Sequence, residues 1–241
     1  MENKNLRPRR VLLKLSGEAL SVGADGILNY ELVTAICAEI KKCVEAGTQV
    51  AIVVGAGNIW RGRQGGEMDQ TRADHMGMLA TTINAIAIQD TLISLGAKAK
   101  VFTAVSMPTF ATPYTRDAVD AALNDGTVVV FGCGLGSPFF STDTAAVLRA
   151  VEIGADAALF AKNIDGVYSA DPKLDPNAKK YETLSYQVIL RDRLKAIDLT
   201  AAAFALDRDL PVYVFALDNP ENIIRAASGE NIGTILHGGN I

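Results

Sequence analysis

The chain has 241 residues, 49% of them hydrophobic and 21% charged, with a formal net charge of −4. That composition excludes a disordered polar chain, and the acidic balance excludes binding to bulk nucleic acid, which needs a basic surface. No long apolar run marks a membrane span, and Cys37, Cys43 and Cys133 show neither a CxxC pair nor zinc-ligand spacing, as in a reduced cytoplasmic setting.

The first nine residues, basic through Lys4, Arg7 and Arg9, are expected to form a flexible tail on one domain spanning residues 1–241. They are not read as a signal segment, because Lys14 breaks the apolar run Val11-Leu12-Leu13. Short β-branched runs then predict strands at Arg10–Leu15, Gln49–Val54, Lys100–Thr103, Thr127–Phe131, Ala157–Phe160 and Val212–Phe215. Several are apolar throughout, which suggests strands buried on both faces. Between them, Leu32, Ile36, Ile40 and Cys43 predict a helix over Glu31–Ala46 that stops at Gly47. Met76, Leu79, Ile83, Ile86 and Ile93 mark a longer helix ending at Gly96. Its other face carries Met78, Ile88 and Leu92, so both sides are expected to be covered, by a subunit interface or by a central position. A helix over Thr142–Ile153 has Ser141 or Thr142 at its N-cap and Asp143 in its first turn, and Asp198 caps another running to Leu206. Alternating strands and helices imply an α/β three-layer sandwich with a mainly parallel central sheet.

Ligands of such sheets bind beyond the carboxyl ends of the strands, and there the sequence is richest in glycine. The first strand leads into Lys14-Leu15-Ser16-Gly17, the second into Gly55-Ala56-Gly57-Asn58-Ile59-Trp60-Arg61-Gly62, and a later one into Gly132-Cys133-Gly134-Leu135-Gly136-Ser137-Pro138. Three such turns at one edge would offer many backbone N–H groups to anions, with Lys14 and Arg61 beside them. No GxxxxGK[ST] occurs, and Trp60 stands where GxGxxG requires its last glycine, so neither a P-loop nor a dinucleotide fold is indicated.

With only two histidines, His75 and His237, no nucleophile–base constellation assembles. Transfer to a phosphate oxygen needs none. A phosphate monoester, with a second pKa of ~6, is mostly dianionic at neutral pH. Such a reaction needs alignment and cancellation of charge, which loop amides, lysine, arginine and Mg²⁺ supply.

The segments LLKLSGEAL (Leu12–Leu20), GAGNIWRG (Gly55–Gly62), ADHMGMLAT (Ala73–Thr81), GSPFFSTDTAA (Gly136–Ala146) and DGVYSADP (Asp165–Pro172) together resemble the bacterial uridylate kinases of the amino-acid-kinase superfamily, over nearly the whole chain. The resemblance implies transfer of the γ-phosphoryl group of ATP to UMP, in pyrimidine nucleotide biosynthesis. It implies that Lys14, Leu15, Ser16, Gly17, Gly57 and Arg61 hold ATP phosphates, and that Lys162, Asn163, Tyr168 and Asp171 complete the ATP site. UMP would meet Ala56, Asp74 and the stretch Leu135, Gly136, Ser137, Pro138, Phe139, Phe140, Ser141 and Thr142. Lys14, Arg61, Asp143 and Asp198 would be catalytic, with Asp143 organising Lys14 and Asp198 helping to hold it. Mg²⁺ would ride mainly on ATP oxygens, with no protein ligand assigned.

Family membership further implies a cytoplasmic homohexamer activated by GTP and inhibited by UTP, without nucleic-acid or membrane partners. The segment Ser21–Leu28, where nucleotide regulation is placed in some members, is shorter here. Other departures are Ala56 in place of a middle glycine, and Leu135 and Ser137 where Thr and Asn are common. A methyl at Ala56 would crowd the acceptor phosphate unless its φ stays negative. The competing readings are another superfamily phosphotransferase, acting on a carboxylate, carbamate or isopentenyl phosphate, and a non-catalytic molybdate storage protein on the same fold. The storage reading calls for cluster-lining histidines and carboxylates, which two histidines scarcely provide.

Overall fold

The computed structural model describes residues 8–60, 66–170, 172, 174–175 and 177–239. Strands Arg10–Leu15 (β1) and Gln49–Val54 (β2) keep the bounds their apolar runs predict, and every residue after the first in each is buried. They flank helix Tyr30–Glu45 (α1), whose Asn29 cap accepts the Leu32 N–H. Helix Gln70–Ser94 (α2), Ala99–Thr103 (β3), Thr112–Pro113 (β4), Arg116–Asn124 (α3) and Val128–Gly132 (β5) follow. Next come Thr142–Glu152 (α4), Ala157–Lys162 (β6), a hairpin of Val167–Tyr168 (β7) with Lys180–Tyr181 (β8), and Thr183–Ser185 (β9). Tyr186–Asp192 (α5), Leu199–Asp207 (α6), Val212–Ala216 (β10), Asn222–Ala227 (α7) and Thr234–His237 (β11) complete the described elements.

Nine strands form one sheet in the order β4-β3-β5-β2-β1-β6-β10-β11-β9. All its pairings are parallel except β10 with β11. Alternation along β1 sends Leu12 to one face, with α4, α5 and α6, and Leu13 to the other, with α1, α2 and α7. The expected three-layer architecture is present. Strand ends differ by a residue or two from the sequence reading. The run predicted to stop at Phe160 continues to Lys162, because Ala161 and Lys162 still pair with Phe215 and Ala216 of β10.

Helix α2 is covered on one side within this chain, so a central position does not account for its second apolar face. By length and composition alone its 25 residues could cross a membrane. One face, however, buries Ala85, Ile88 and Leu92 against the sheet layer. The stripe Met76, Leu79, Ile83, Ile86 and Ile93 lies exposed.

Candidate active site

Strands β5, β2 and β1 are neighbours, so the three glycine turns predicted from sequence emerge side by side at one sheet edge. The first two interlock. The Gly55 amide donates to the Leu15 carbonyl at 2.9 Å. A Cβ on Gly17 would fall 2.6 Å from the Gly57 nitrogen and 2.8 Å from the Gly55 oxygen, so only glycine permits this approach. Ala56 has a negative φ, which removes the crowding expected of its methyl group. Leu15, expected at ATP, is buried in the core and can offer only its backbone. Ser16 Oγ accepts the Ala19 amide, which shapes the turn. Arg61 lies outside the described residues, as does Asp171.

The N-terminus of α4 points into this edge. Ser141 is its N-cap, accepting the Thr144 amide at 3.1 Å, and Asp143 stands in the first turn. One Asp143 oxygen is 3.1 Å from Lys14 Nζ at the end of β1, and the other is 3.3 Å from Lys162 Nζ at the end of β6. Lys162 also donates to the Ala196 carbonyl at 2.5 Å. Two ammoniums therefore share one carboxylate, an excess of positive charge suited to an anion. Burial pushes the Asp143 carboxyl up, but the Lys14 and Lys162 charges prevail and hold it below the ordinary carboxylate value. Burial pushes Lys162 down, and Asp143 only partly restores it.

Asp198 is placed differently from the expectation that it holds Lys14. Its carboxylate accepts from the Ser141 and Thr144 hydroxyls and caps α6 by accepting the Ala201 amide at 2.9 Å. It therefore ties the starts of α4 and α6 together.

On one side of the α4 terminus lies a cleft of about 410 Å³, lined by Ala56, Gly57, Asp74, Leu135, Ser137, Phe140, Ser141 and Thr142 among others. This gathers most of the residues expected at UMP. Asp74 accepts from the Phe139 amide and from Gln70 Nε2, both at 2.8 Å, and so pins the start of α2 to the third loop. Phe139 holds its backbone at φ 70°, unusual for a bulky residue. Gly136 turns at φ 74°, where a Cβ would crowd Ala104. Gly136, Pro138 and Phe139 shape the loop rather than line the cleft. The sequence reading missed Trp60, Met78 and Thr81, which also line it. The Trp60 indole N–H donates to the Ala73 carbonyl at 2.9 Å, and Thr81 Oγ1 accepts the Cys133 amide at 2.8 Å. The pair Thr81-Thr82, polar residues on the buried side of α2, is the signal the sequence carries for this wall.

On the other side, Asp143, Lys162, Arg193, Lys195 and Asp198 border a cavity of about 340 Å³. Through Arg193, Leu194 and Lys195 it adjoins one of about 450 Å³ with Ile164, Val167, Tyr168, Ala170 and Pro172. Tyr168 donates to Asp165, which also pairs with Lys180 at 3.1 Å, so Asp165 serves the turn and hairpin. Asn163 lies beside Tyr168 rather than in the Lys162 pocket. It lines a neighbouring cavity of about 520 Å³ with Ala19, Leu32 and Asp165, which shares Ile164, Tyr168 and Pro172 with the 450 Å³ one.

Residues 9–216 match the model of the amino acid kinase family. The chain belongs to that family. Among solved structures, this amino acid kinase is similar to the UMP kinase from Bacillus anthracis, with 37% identity, a TM-score of 0.93, and coverage of 96% of this chain and 97% of that one. Similarity to the UMP kinase from Ureaplasma parvum is 34% identity and TM-score 0.91, covering 96% and 100% of the two chains. The uridylate kinase from Archaeoglobus fulgidus follows at 30% identity and 0.73, with 94% and 99% covered.

Proposed function

We propose that this amino acid kinase is a uridylate kinase, transferring the γ-phosphoryl group of MgATP to UMP to give UDP and ADP in pyrimidine nucleotide biosynthesis. One observation carries the reading. Two clefts meet at the N-terminus of α4, with Ser141 and Thr142 lining one and Asp143 the next. An acceptor in the first and a donor in the second would present their phosphates to the same helix dipole and the same glycine edge. Likeness to two UMP kinases at 34–37% identity supplies the substrate.

The chemistry follows from the parts. A UMP phosphate oxygen attacks the γ-phosphorus, a P–O bond forms, and the bond to the β,γ-bridging oxygen breaks, leaving the electron pair on ADP. No protein base is required, since the acceptor is already an anion. Lys14 and Lys162, held by Asp143, would offset charge on the transferring group, and the amides of the interlocked loops would orient it. Both Asp143 oxygens carry ammonium partners, and among the described residues no group of three His, Cys, Asp or Glu could hold a metal. Mg²⁺ carried on the ATP phosphates would neutralise charge there.

The cavity between Tyr168 and Ala196 is assigned to adenosine because it continues from the Lys162 pocket. We further propose a cytoplasmic homo-oligomer. The three cysteines are free and buried, and the exposed apolar stripe of α2 suits a second copy. The family resemblance extends this to a hexamer activated by GTP and inhibited by UTP.

A coupled assay with ATP and Mg²⁺ across UMP, CMP, glutamate and carbamate tests the reading. UMP should be the preferred acceptor, and Asp74→Asn should lower kcat/KM for UMP by roughly 100-fold or more while the protein stays folded. Absence of UMP turnover overturns the assignment, and near-normal turnover in the variant removes the role given to Asp74. Uptake of molybdate with ATP, without UMP phosphorylation, would favour the storage reading.

A further inference from the structure

A polar pair outside both clefts has no part in the chemistry described so far. Asn84 sits in the middle of α2 with no solvent exposure, and Asn58 follows the second glycine turn. Their amides face each other. Asn84 Nδ2 donates to Asn58 Oδ1 at 2.8 Å, and Asn58 Nδ2 donates to Asn84 Oδ1 at 3.0 Å. Each has one further donor hydrogen. That of Asn84 goes to the Gly55 carbonyl at 2.8 Å, and that of Asn58 to the Ile27 carbonyl at 2.6 Å. All four N–H groups of the two amides are thus used. Turning either amide over would set its oxygen against a backbone carbonyl, so the orientation is fixed by the acceptors around it.

This arrangement joins three pieces of chain: the middle of α2, the Gly55–Asn58 turn, and the segment ahead of α1. The Gly17 turn rests on it as well, because a Cβ on Gly17 would collide with the Asn58 side-chain oxygen. The grip on Gly55 matters most. A peptide group is planar, so holding the Gly55 carbonyl toward α2 fixes the opposite direction of the Ala56 N–H. Ala56 lines the cleft assigned to the acceptor. An asparagine inside a helix, buried beneath an apolar layer, is a poor choice for helix propensity and for burial. Its placement is explained by what it holds.

We propose that Asn84 and Asn58 are positioning residues for phosphoryl transfer, a reciprocal amide clamp that fixes the glycine turns of β1 and β2 in the geometry the transferring group requires. Neither is a catalytic residue, since both act through the backbone of the turns. The inference rests on reading the protein as a phosphotransferase.

The test begins with wild-type turnover of UMP, whose absence would sink that reading and leave this one without an object. Given wild-type turnover, Asn84→Asp is the informative change, because it keeps the shape and replaces two donors with acceptors. The expected result is a kcat lower by about 100-fold, since an error near 1 Å in aligning reacting groups has that effect. UMP affinity, read from fluorescence of the single tryptophan Trp60 in the acceptor cleft, should stay within about threefold of wild type. Asn58→Ala, on a half-buried turn where water can take over the freed groups, should give the same pattern and keeps the test available if Asn84→Asp fails to fold. The double variant should be no worse than the poorer single one, because breaking a clamp at either end releases it once. A folded variant with kcat within about twofold of wild type overturns the proposal. So does a loss of turnover that appears only in the KM for UMP, or a double variant whose defect is the product of the two.

Discussion

Asp143 illustrates how much one side chain decides. It is nearly enclosed, 3.1 Å from one ammonium and 3.3 Å from another, and it titrates below its ordinary 3.8 because the two lysines outweigh the burial penalty. A carboxyl with a lower folded value contributes stability that is complete above the unfolded pKa and is lost as pH falls through the folded one. Lys162 has the opposite balance. Its folded value lies below 10.5, so its protonation at neutral pH costs stability, and that cost disappears only as pH rises through the folded value toward the unfolded one. A buried lysine retained at such a disadvantage is consistent with a charge kept for a ligand. These directions yield a prediction about the pH profile. Asp143 stays ionised down to below 3.8, so it cannot shape activity near neutrality. The acid limb of kcat/KM for UMP should instead fall near ~6, where the substrate phosphate takes up its second proton. Replacing UMP by an analogue whose phosphate has a different second pKa should move the limb by the same amount. A limb that ignores the substrate's pKa would mean that a protein group sets it.

At the scale of elements, the starts of α4 and α6 are fastened through Asp198, which caps α6 and takes the Ser141 and Thr144 hydroxyls. Asp198→Ala removes the cap and leaves those hydroxyls without their acceptor, so it should destabilise the protein by about 1–2 kcal/mol. For a chain of this size that corresponds to a fall in Tm of roughly 2–8 °C. Asp198→Asn keeps a capping oxygen and should recover most of the loss. Calorimetry of the two variants checks this, and equal melting of Asp198→Ala and wild type would deny the cap any weight. The sequence showed this cap, along with the helix predicted over Glu31–Ala46, β1 and β2, because local chemistry determines them: continuous apolar runs, a capping side chain, a glycine stop. It did not show α3, α5, α7 or the β7–β8 hairpin, which are too short for a period to emerge and depend on distant partners. The site followed the same division. Lys14 and the third loop were legible through motifs at strand ends, and Asp74 only through the family resemblance, whereas the sharing of Asp143 by two lysines required β1, β6 and α4 to be brought together. The Asn84–Asn58 pairing spans 26 residues and has no linear signature.

Along α2 the whole molecule leaves an apolar stripe without cover from its own chain. Met76, Leu79, Ile83, Ile86 and Ile93 are 39–53% exposed along α2, with Asp90 completing the register between the last two. The intervals alternate three and four, a period near 3.5, which suits one helix lying along another rather than on a sheet. Burying a Leu or Ile side chain is worth roughly 1.5–3 kcal/mol, so several in one stripe can hold a second copy of this chain despite its shared negative charge. Glutamates at Leu79 and Ile83 would place charge where the proposed second copy would meet α2 and should leave the monomer's own core untouched, since both side chains already face outward. The double variant Leu79→Glu/Ile83→Glu is therefore expected to sediment as a smaller species than wild type while retaining its helical circular dichroism. Turnover should fall with dissociation, because the same helix carries Asp74 and Thr81 on the wall of the acceptor cleft and Asn84 behind it. If sedimentation equilibrium gave the same mass for variant and wild type, the stripe would not be the contact, and the apolar face would need another occupant.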